Sequence, residues 1–256
     1  MTQRRPVAIV TGGSRGIGLG IARALAKDGF DIAITGIDDA DQFNTAVDEL
    51  RQLGAKAISL HADLSDLSGH QATLGAITKL LGPVDCLVNN AGMASIVRGD
   101  FLDLSPQNFD AVSATNLRGT VFFTQVVVRE MLAAVPAPKR SVINITSVSA
   151  TMSSPERLDY CVTKAGLAAF SQGLALRLAD TGIAVFEVRP GIIRSNMTAK
   201  ASGKYDALIA DGLVPMKRWG EAADIGDIVA ALASGTFGFA TGSVIHADGG
   251  LSIGRL

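Results

Sequence analysis

The chain is poor in the residues that would mark a disulfide-stapled, metal-bound or membrane protein. It has two cysteines among 256 residues, Cys86 and Cys161, each inside an apolar segment. They make no disulfide framework and read as small buried hydrophobes of a reducing compartment. The three histidines, His61, His70 and His246, share no metal-ligand spacing with cysteine or acid partners. No metal site is expected, and all three read as ordinary strand-end or surface residues. A formal net charge of −1 leaves no basic footprint for nucleic acid or for an anionic membrane. No apolar stretch approaches the length of a membrane span. Arg4-Arg5 is followed by an apolar run, 7–10, far too short for an export signal. A soluble, cytoplasmic protein is the expectation.

Breaks are scarce too. Pro136-Ala137-Pro138 and Ser202-Gly203 are short and flanked by regular segments, so 1–256 is expected to form a single domain. What is abundant is apolar and small: 48% of residues are hydrophobic, and 28 are glycine. Apolar runs at 7–10, 31–35, 57–61, 86–88, 141–146, 184–188 and 243–246 read as strands buried on both faces. Helix-period stretches near 16–28, 41–53, 68–81, 106–134, 159–180 and 222–233 lie between them. The alternation predicts an α/β fold: one doubly wound, Rossmann-type domain with a parallel seven-stranded sheet and helices on both faces. Ligands of such folds bind beyond the carboxyl ends of the strands.

The densest chemistry lies at 147–164. The run 141–146 delivers Ser147 at a strand's carboxyl end, and a helix is expected from near Asp159, which can cap it. Tyr160 and Lys164 then stand one turn apart on one face. Phenol, ammonium and serine hydroxyl converge in an arrangement suited to moving a proton to or from an alcohol oxygen. The lysine charge favours tyrosinate and the serine holds the substrate oxygen. A surface Tyr-Lys pair would have the same spacing, so the context has to decide.

That context begins after the first strand, with Thr11-Gly12-Gly13-Ser14-Arg15-Gly16-Ile17-Gly18. Glycines let the backbone turn tightly and approach a pyrophosphate, whose charge meets the amides of a helix N-terminus. With Asp63-Leu64, Asn89-Asn90-Ala91-Gly92, Asn116, the Ser147, Tyr160 and Lys164 trio, Pro190-Gly191-Ile192-Ile193 and Asp248-Gly249-Gly250, the chain resembles the short-chain dehydrogenase/reductase family. The match runs from the first strand to the C-terminus and is most like the bacterial 3-oxoacyl-carrier-protein reductase branch.

The resemblance implies the following roles. Tyr160 is the general acid in reduction and the general base in oxidation. Lys164 holds the nicotinamide ribose, Ser147 hydrogen-bonds the carbonyl, and Asn116 carries a proton-relay water on its carbonyl. Gly12, Ser14, Arg15, Gly16, Ile17 and Gly18 form the cofactor turn, and Asp63 and Leu64 meet the adenine. Asn90, Ala91 and Gly92 lie near the cofactor, whereas Asn89 is structural. Pro190, Gly191, Ile193 and Ser195 face the nicotinamide. Ser195-Asn196-Met197 departs from the family's usual Thr-Asp-Met, keeping the hydroxyl and losing the acid. Ser149 stands eleven residues before Tyr160, where the family has its serine thirteen before.

The choice of cofactor is contested within the sequence. Asp38, twenty residues after Gly18, can hydrogen-bond a ribose 2′-hydroxyl and repel a 2′-phosphate. The family's NAD-type acid, however, usually falls at the position of Gly36, Arg15 can pair with a 2′-phosphate, and the reductase branch generally uses NADPH. Asp38, Asp39 and Asp41 against one arginine favour NAD(H) narrowly over NADP(H). The stretch 194–220 reads as a mobile substrate lid, with Lys200, Lys204, Lys217 and Arg218 among Leu208, Ile209, Leu213, Val214, Pro215 and Met216. Its polar supply beyond Ser195, Asn196 and Tyr205 is small. It suits a 3-oxoacyl thioester, with acyl carrier protein as a candidate partner, over a sugar, polyol or other secondary alcohol. A catalytically idle cofactor-binding module is the third reading, and the intact trio argues against it. A small-residue stripe on the 159–180 helix (Ala165, Gly166, Ala169, Gly173), the stretch 121–128 and the tail 242–256 are expected to build a homotetramer.

Overall fold

In the computed structural model, the residues described are 4–135, 137, 140–199 and 202–254. Pro136, Pro138, Lys200 and the last two residues of the tail, named above, lie outside them. Seven strands pair in parallel: β1 (Val7–Thr11), β2 (Asp31–Gly36), β3 (Ala57–His61), β4 (Cys86–Asn89), β5 (Ser141–Ile145), β6 (Ala184–Pro190) and β7 (Val244–Ala247), in the order β3-β2-β1-β4-β5-β6-β7. Each observed strand lies within two residues of its expected bounds. β1, β4 and β5 are buried along their whole length, as continuous apolar runs require in a sheet covered on both faces. The order reverses at β1, where Ala8 pairs with Ile32 on one side and Cys86 on the other. A crevice opens at such a switch point.

One face carries α1 (Gly16–Lys27), α2 (Ala40–Gln52) and α9 (Ala222–Ala233), which close a core around Phe30, Ile34, Phe43 and Ile225. Small residues let α1 and α9 nearly touch: a Cβ on Gly20 would lie 2.6 Å from the Ala222 carbonyl oxygen. The other face carries α3 (His70–Leu81), α4 (Pro106–Ser113), α5 (Thr120–Ala133) and α6 (Leu158–Leu178), over Leu74, Leu87, Phe123 and Val142. Between β6 and α9 runs 194–220, with α7 (Asn196–Ala199) and α8 (Ser202–Ala210).

Four differences from expectation have physical causes. The helix expected over 106–134 is broken by a π-turn at Ala114–Gly119. Asn116 is fully buried there, and a Cβ on Gly119 would lie 2.1 Å from the Leu64 carbonyl oxygen, so the widened turn admits the loop after β3. The expected cap Asp159 is inside the first turn of α6, whose N-cap is Arg157. Asp159 is buried and accepts from Ser95 Oγ and from the Tyr160 amide, while its Oδ2 is unpartnered. His70 is not a surface residue: it is buried at the start of α3, edge-on to Phe123. The stripe on α6 is divided, with Leu167 and Leu178 buried in the sheet and Ala165, Ala169 and Gly173 turned outward. Both cysteines are free and buried, and burial pushes the Cys86 thiol up to about 12.

Candidate active site

The glycine turn sits where β1 gives way to α1. Gly12 and Gly16 have φ of 63° and 53°, which side chains other than glycine rarely adopt. A Cβ on Gly18 would stand 2.0 Å from the Gly12 carbonyl oxygen, so the first turn of α1 rests directly on the loop. No acidic side chain occupies that turn; its free amides suit an anion. Asn90 ties the end of β4 to it, its Nδ2 donating to the carbonyls of Thr11 (2.9 Å) and Gly12 (3.1 Å). Thr11 Oγ1 accepts from the amides of Asn90 and Ala91, each at 3.0 Å. Thr11 opens the glycine-turn motif in the sequence, but its bonds to the end of β4 appear only in the fold.

At the end of β2 the Asp38 carboxylate accepts from Ser14 Oγ and pairs with Arg15 Nε at 3.1 Å. It folds back to within 3.6 Å of where a Cβ on Gly36 would be. Asp63 Oδ1 holds the amide (2.8 Å) and hydroxyl (2.7 Å) of Ser65, and the Leu64 carbonyl bonds His70 Nε2 at 2.9 Å. His70 therefore braces the loop expected to meet the adenine.

At the end of β5, Ser147 begins the short turn Val148–Ala150 and its Oγ accepts the Ser149 amide at 3.0 Å. Burial raises the Tyr160 phenol's pKa above its ordinary value, while the neighbouring Ser147 side chain and the Arg157 charge act the other way. One turn on, Lys164 donates from Nζ to the Ile145 carbonyl at 3.0 Å. Burial lowers its ammonium to about 8, against the Glu187 carboxylate, which holds it up. Glu187 itself is buried on β6 between Thr146 Oγ1 (2.7 Å) and Arg189 Nε (2.6 Å). Neither Glu187 nor Arg189 stood out in the sequence, since both lie inside an apolar run.

Asn116 clasps the Met93 backbone at both polar groups: its Oδ1 accepts the amide at 2.8 Å and its Nδ2 donates to the carbonyl at 2.9 Å. A Cβ on Gly92 would lie 3.2 Å from Asn116 Oδ1 and 3.7 Å from Lys164 Nζ, so Gly92 leaves the space beside the lysine open. Asn89, by contrast, is buried between Thr124 and Asn144. The Gly191 amide bonds the Ala247 carbonyl at 3.0 Å, just after Pro190 ends β6. Ser195 passes over the glycine turn, its Cβ 3.7 Å from where one on Gly16 would be. Ile193 is different: its side chain is buried in the core, so only its backbone faces the site. Ile17 likewise packs against that core.

A glycine turn at the end of β1 and a serine, tyrosine and lysine gathered at the end of β5 define a nicotinamide-dependent oxidoreductase of carbonyls and alcohols. A family model described as Enoyl-(Acyl carrier protein) reductase matches residues 12–252. The 3-oxoacyl-(acyl-carrier-protein) reductase FabG of Staphylococcus epidermidis is 35% identical over 246 residues, covering 95% of this chain and 98% of that protein. A crystal structure of 3-oxoacyl-(acyl-carrier protein) reductase from Brucella melitensis in complex with NAD is 62% identical, with TM-score 0.97 over 100% of both chains. A putative short-chain dehydrogenase/reductase from Sinorhizobium meliloti 1021 is 61% identical, with TM-score 0.81 over 99% of this chain and 100% of its own. The chain belongs to the short-chain dehydrogenase/reductase family.

Proposed function

We propose that this enzyme reduces the carbonyl of a 3-oxoacyl thioester, with Ser147, Tyr160 and Lys164 as its catalytic residues. The observation that carries the reading is their convergence beside the open space at Gly92, facing the cradle of Gly12, Gly16 and Gly18. That cradle, with Asn90 and Ala91 beneath it, fits a dinucleotide pyrophosphate. A bound nicotinamide supplies the hydride. Ser147 Oγ–H and the Tyr160 phenol hold the substrate oxygen, and both bonds strengthen as negative charge grows there. Tyr160 then gives its proton to that oxygen. Lys164, fixed by the Ile145 carbonyl, holds the ribose and a positive charge near the phenol. Asn116 shapes the wall by fixing Met93.

NAD(H) is the better-fitting cofactor. The Asp38 carboxylate reaches back beside Gly36, where it would accept from a ribose 2′-hydroxyl and repel a 2′-phosphate. The similar Brucella melitensis enzyme is described with NAD. Asp38→Ser should raise the NADP(H)/NAD(H) preference ratio by about 10-fold, the scale of one charge-assisted hydrogen bond; an unchanged ratio would take Asp38 out of cofactor selection.

The segment 194–220 serves as the substrate lid. Acyl carrier protein is the fitting partner, through exposed Lys204 and Lys217, since Arg218 is already paired with Asp224. Ile209 and Val214 pack under Trp219 within the lid, which leaves Leu213 and Met216, both exposed, to cover an acyl chain. A homotetramer fits the outward small stripe of α6, flanked by exposed Val162 and Leu176, and the exposed Phe237, Phe239 and Ile253 near β7: two separate two-fold contacts give that assembly. A monomeric mass by light scattering would exclude it. The substrate is tested by comparing a 3-oxoacyl thioester with sugars and polyols at matched concentrations, with both nicotinamide cofactors. Faster turnover of any sugar or polyol sinks the thioester assignment.

A further inference from the structure

The Tyr160 ring carries a second cation that the mechanism above does not use. Arg157, on the turn Pro155–Arg157 that leads into α6, has its Cζ 5.5 Å from the ring centroid. Lys164 Nζ is at 5.7 Å, but it is buried and committed to the Ile145 carbonyl. Arg157 is half-buried, and the one hydrogen bond of its side chain among the described residues is long, Nη2 to Ser149 Oγ at 3.4 Å. A guanidinium fork has more donors than one serine can occupy.

Four other arginines near the site each have an acid of their own. Arg15 pairs with Asp38, Arg189 with Glu187, Arg194 with Glu221 and Arg218 with Asp224. Among the described residues no carboxylate pairs with Arg157. Its neighbours in sequence do not serve: Asp159 is turned to Ser95 and the Tyr160 amide, and Glu156 is exposed and makes no ion pair among the described residues. An unpaired, partly desolvated guanidinium beside a reacting group is a receptor for an anionic oxygen, and its planar fork matches a carboxylate.

Arg157 touches Ser149, two residues past Ser147, and lies against the ring whose phenol contacts Ser147. An oxygen on Arg157 and the reacting oxygen on Ser147 and Tyr160 are therefore neighbours, separated by a few bonds of the substrate. We propose that Arg157 is a specificity-determining residue that receives a substrate carboxylate close to the reacting carbonyl, so that the site prefers small oxo acids to their neutral esters. A 3-oxoacyl thioester presents its thioester oxygen at the same spacing, through a neutral and weaker hydrogen bond. The inference rests on the reading that Ser147 and Tyr160 hold the carbonyl.

The test compares acetoacetate with methyl acetoacetate, each with saturating NADH, in the wild type, Arg157→Gln and Arg157→Lys. Binding of both compounds to the NAD-loaded enzyme is measured by calorimetry alongside. The acid should be favoured over the ester in KM and Kd by about 10-fold or more, the worth of a charge-assisted bond. Arg157→Gln should bring that ratio to about one with kcat and NADH affinity within a few-fold. Arg157→Lys should keep part of it, as charge without the fork. A ratio near one in the wild type, a ratio that Arg157→Gln leaves unchanged, or no binding of either compound overturns the proposal. So does a shifted pH profile with an unchanged ratio, which would make Arg157 purely an electrostatic neighbour of Tyr160. The underlying mechanism fails separately, through persistent turnover in Tyr160→Phe.

Discussion

Lys164 and Trp219 are both buried beside the candidate site, and they are held in different ways. Lys164 is bonded to a carbonyl of β5, in the middle of a seven-stranded sheet with a hydrophobic core on each face. Trp219 belongs to a separate cluster with Ile209 and Val214, against which Ile192 and Tyr205 pack. Its Nε1 donates to Asp206 at 2.7 Å, and the Arg194 guanidinium lies 4.9 Å from its ring centroid. The segment around it is tied back where Ile193 pairs with Gly220 and the Arg194 amide bonds the Gly220 carbonyl at 2.9 Å, and again after β7, where the Met216 amide bonds the Gly249 carbonyl at 3.1 Å. The ion pairs that fasten its ends, Arg194 with Glu221 and Arg218 with Asp224, are largely solvent-exposed, where such pairs contribute little. Lys164 thus draws on the rigidity of the whole sheet. The segment around Trp219 has a small core of its own.

The contrast breaks most sharply at Tyr160. Tyr160→Phe should lower kcat by about 100-fold or more and leave protease sensitivity at 194–220 unchanged; turnover within a few-fold of wild type would remove the phenol from the chemistry. Asn116→Ala should lower kcat by about 10-fold and stability by about 1–3 kcal/mol, because the half-buried Met93 amide and carbonyl lose their partners. Thermal unfolding would show a matching fall in Tm; an unmoved Tm would mean that water replaces the clasp. Trp219→Ala should act the other way round, raising substrate KM by about 3- to 10-fold with kcat within about 2-fold. Its Tm should move less than that of Asn116→Ala, because the cluster it empties is local. A larger Tm loss would show the lid and the sheet to be one cooperative unit.

The mildest test is pH. Lys164 has its pKa lowered to about 8 by burial, so kcat/KM for reduction should decline as pH rises past about 8. The stability sign is opposite to that of a salt-bridged lysine. Between about 8 and the ordinary lysine value, the unfolded chain keeps a proton that the folded chain has released, so the Lys164 contribution to stability improves as pH rises through that window. A flat rate profile to pH 10 would show that the ammonium is held by more than Glu187.

Strand positions were legible because runs such as 7–10 and 141–146 leave no alternative to a sheet buried on both sides, and Ser147, Tyr160 and Lys164 follow from their place at a strand end. What stayed hidden depends on distant partners. The π-turn at Asn116 exists because the loops after β3 and β4 press on it, which helical periodicity does not report. His70 looks like a surface residue until Phe123 and the Leu64 carbonyl come to meet it. Asp159 has the composition of a cap but is drawn inward by Ser95. Arg157 reads as a loop charge, and only the folded chain shows that it has no acid among the described residues and lies on the tyrosine ring.

The strand order also has a meaning for the chain as it is made. β1, β2 and β3 are neighbours in both sequence and sheet, so they can assemble first; after that β4, β5, β6 and β7 each dock on the one growing edge in the order of synthesis. The glycine turn after β1 is thereby complete when β4 docks, whereas the tyrosine helix cannot be gripped on both sides until β6 has followed it. A nascent chain should gain protease protection in two steps, the first when β4 has cleared the ribosome and the second after β6. On the proposed mechanism, the molecule would acquire its handle for the nucleotide well before it acquires an acid, and a polypeptide released between those two points would bind without reacting.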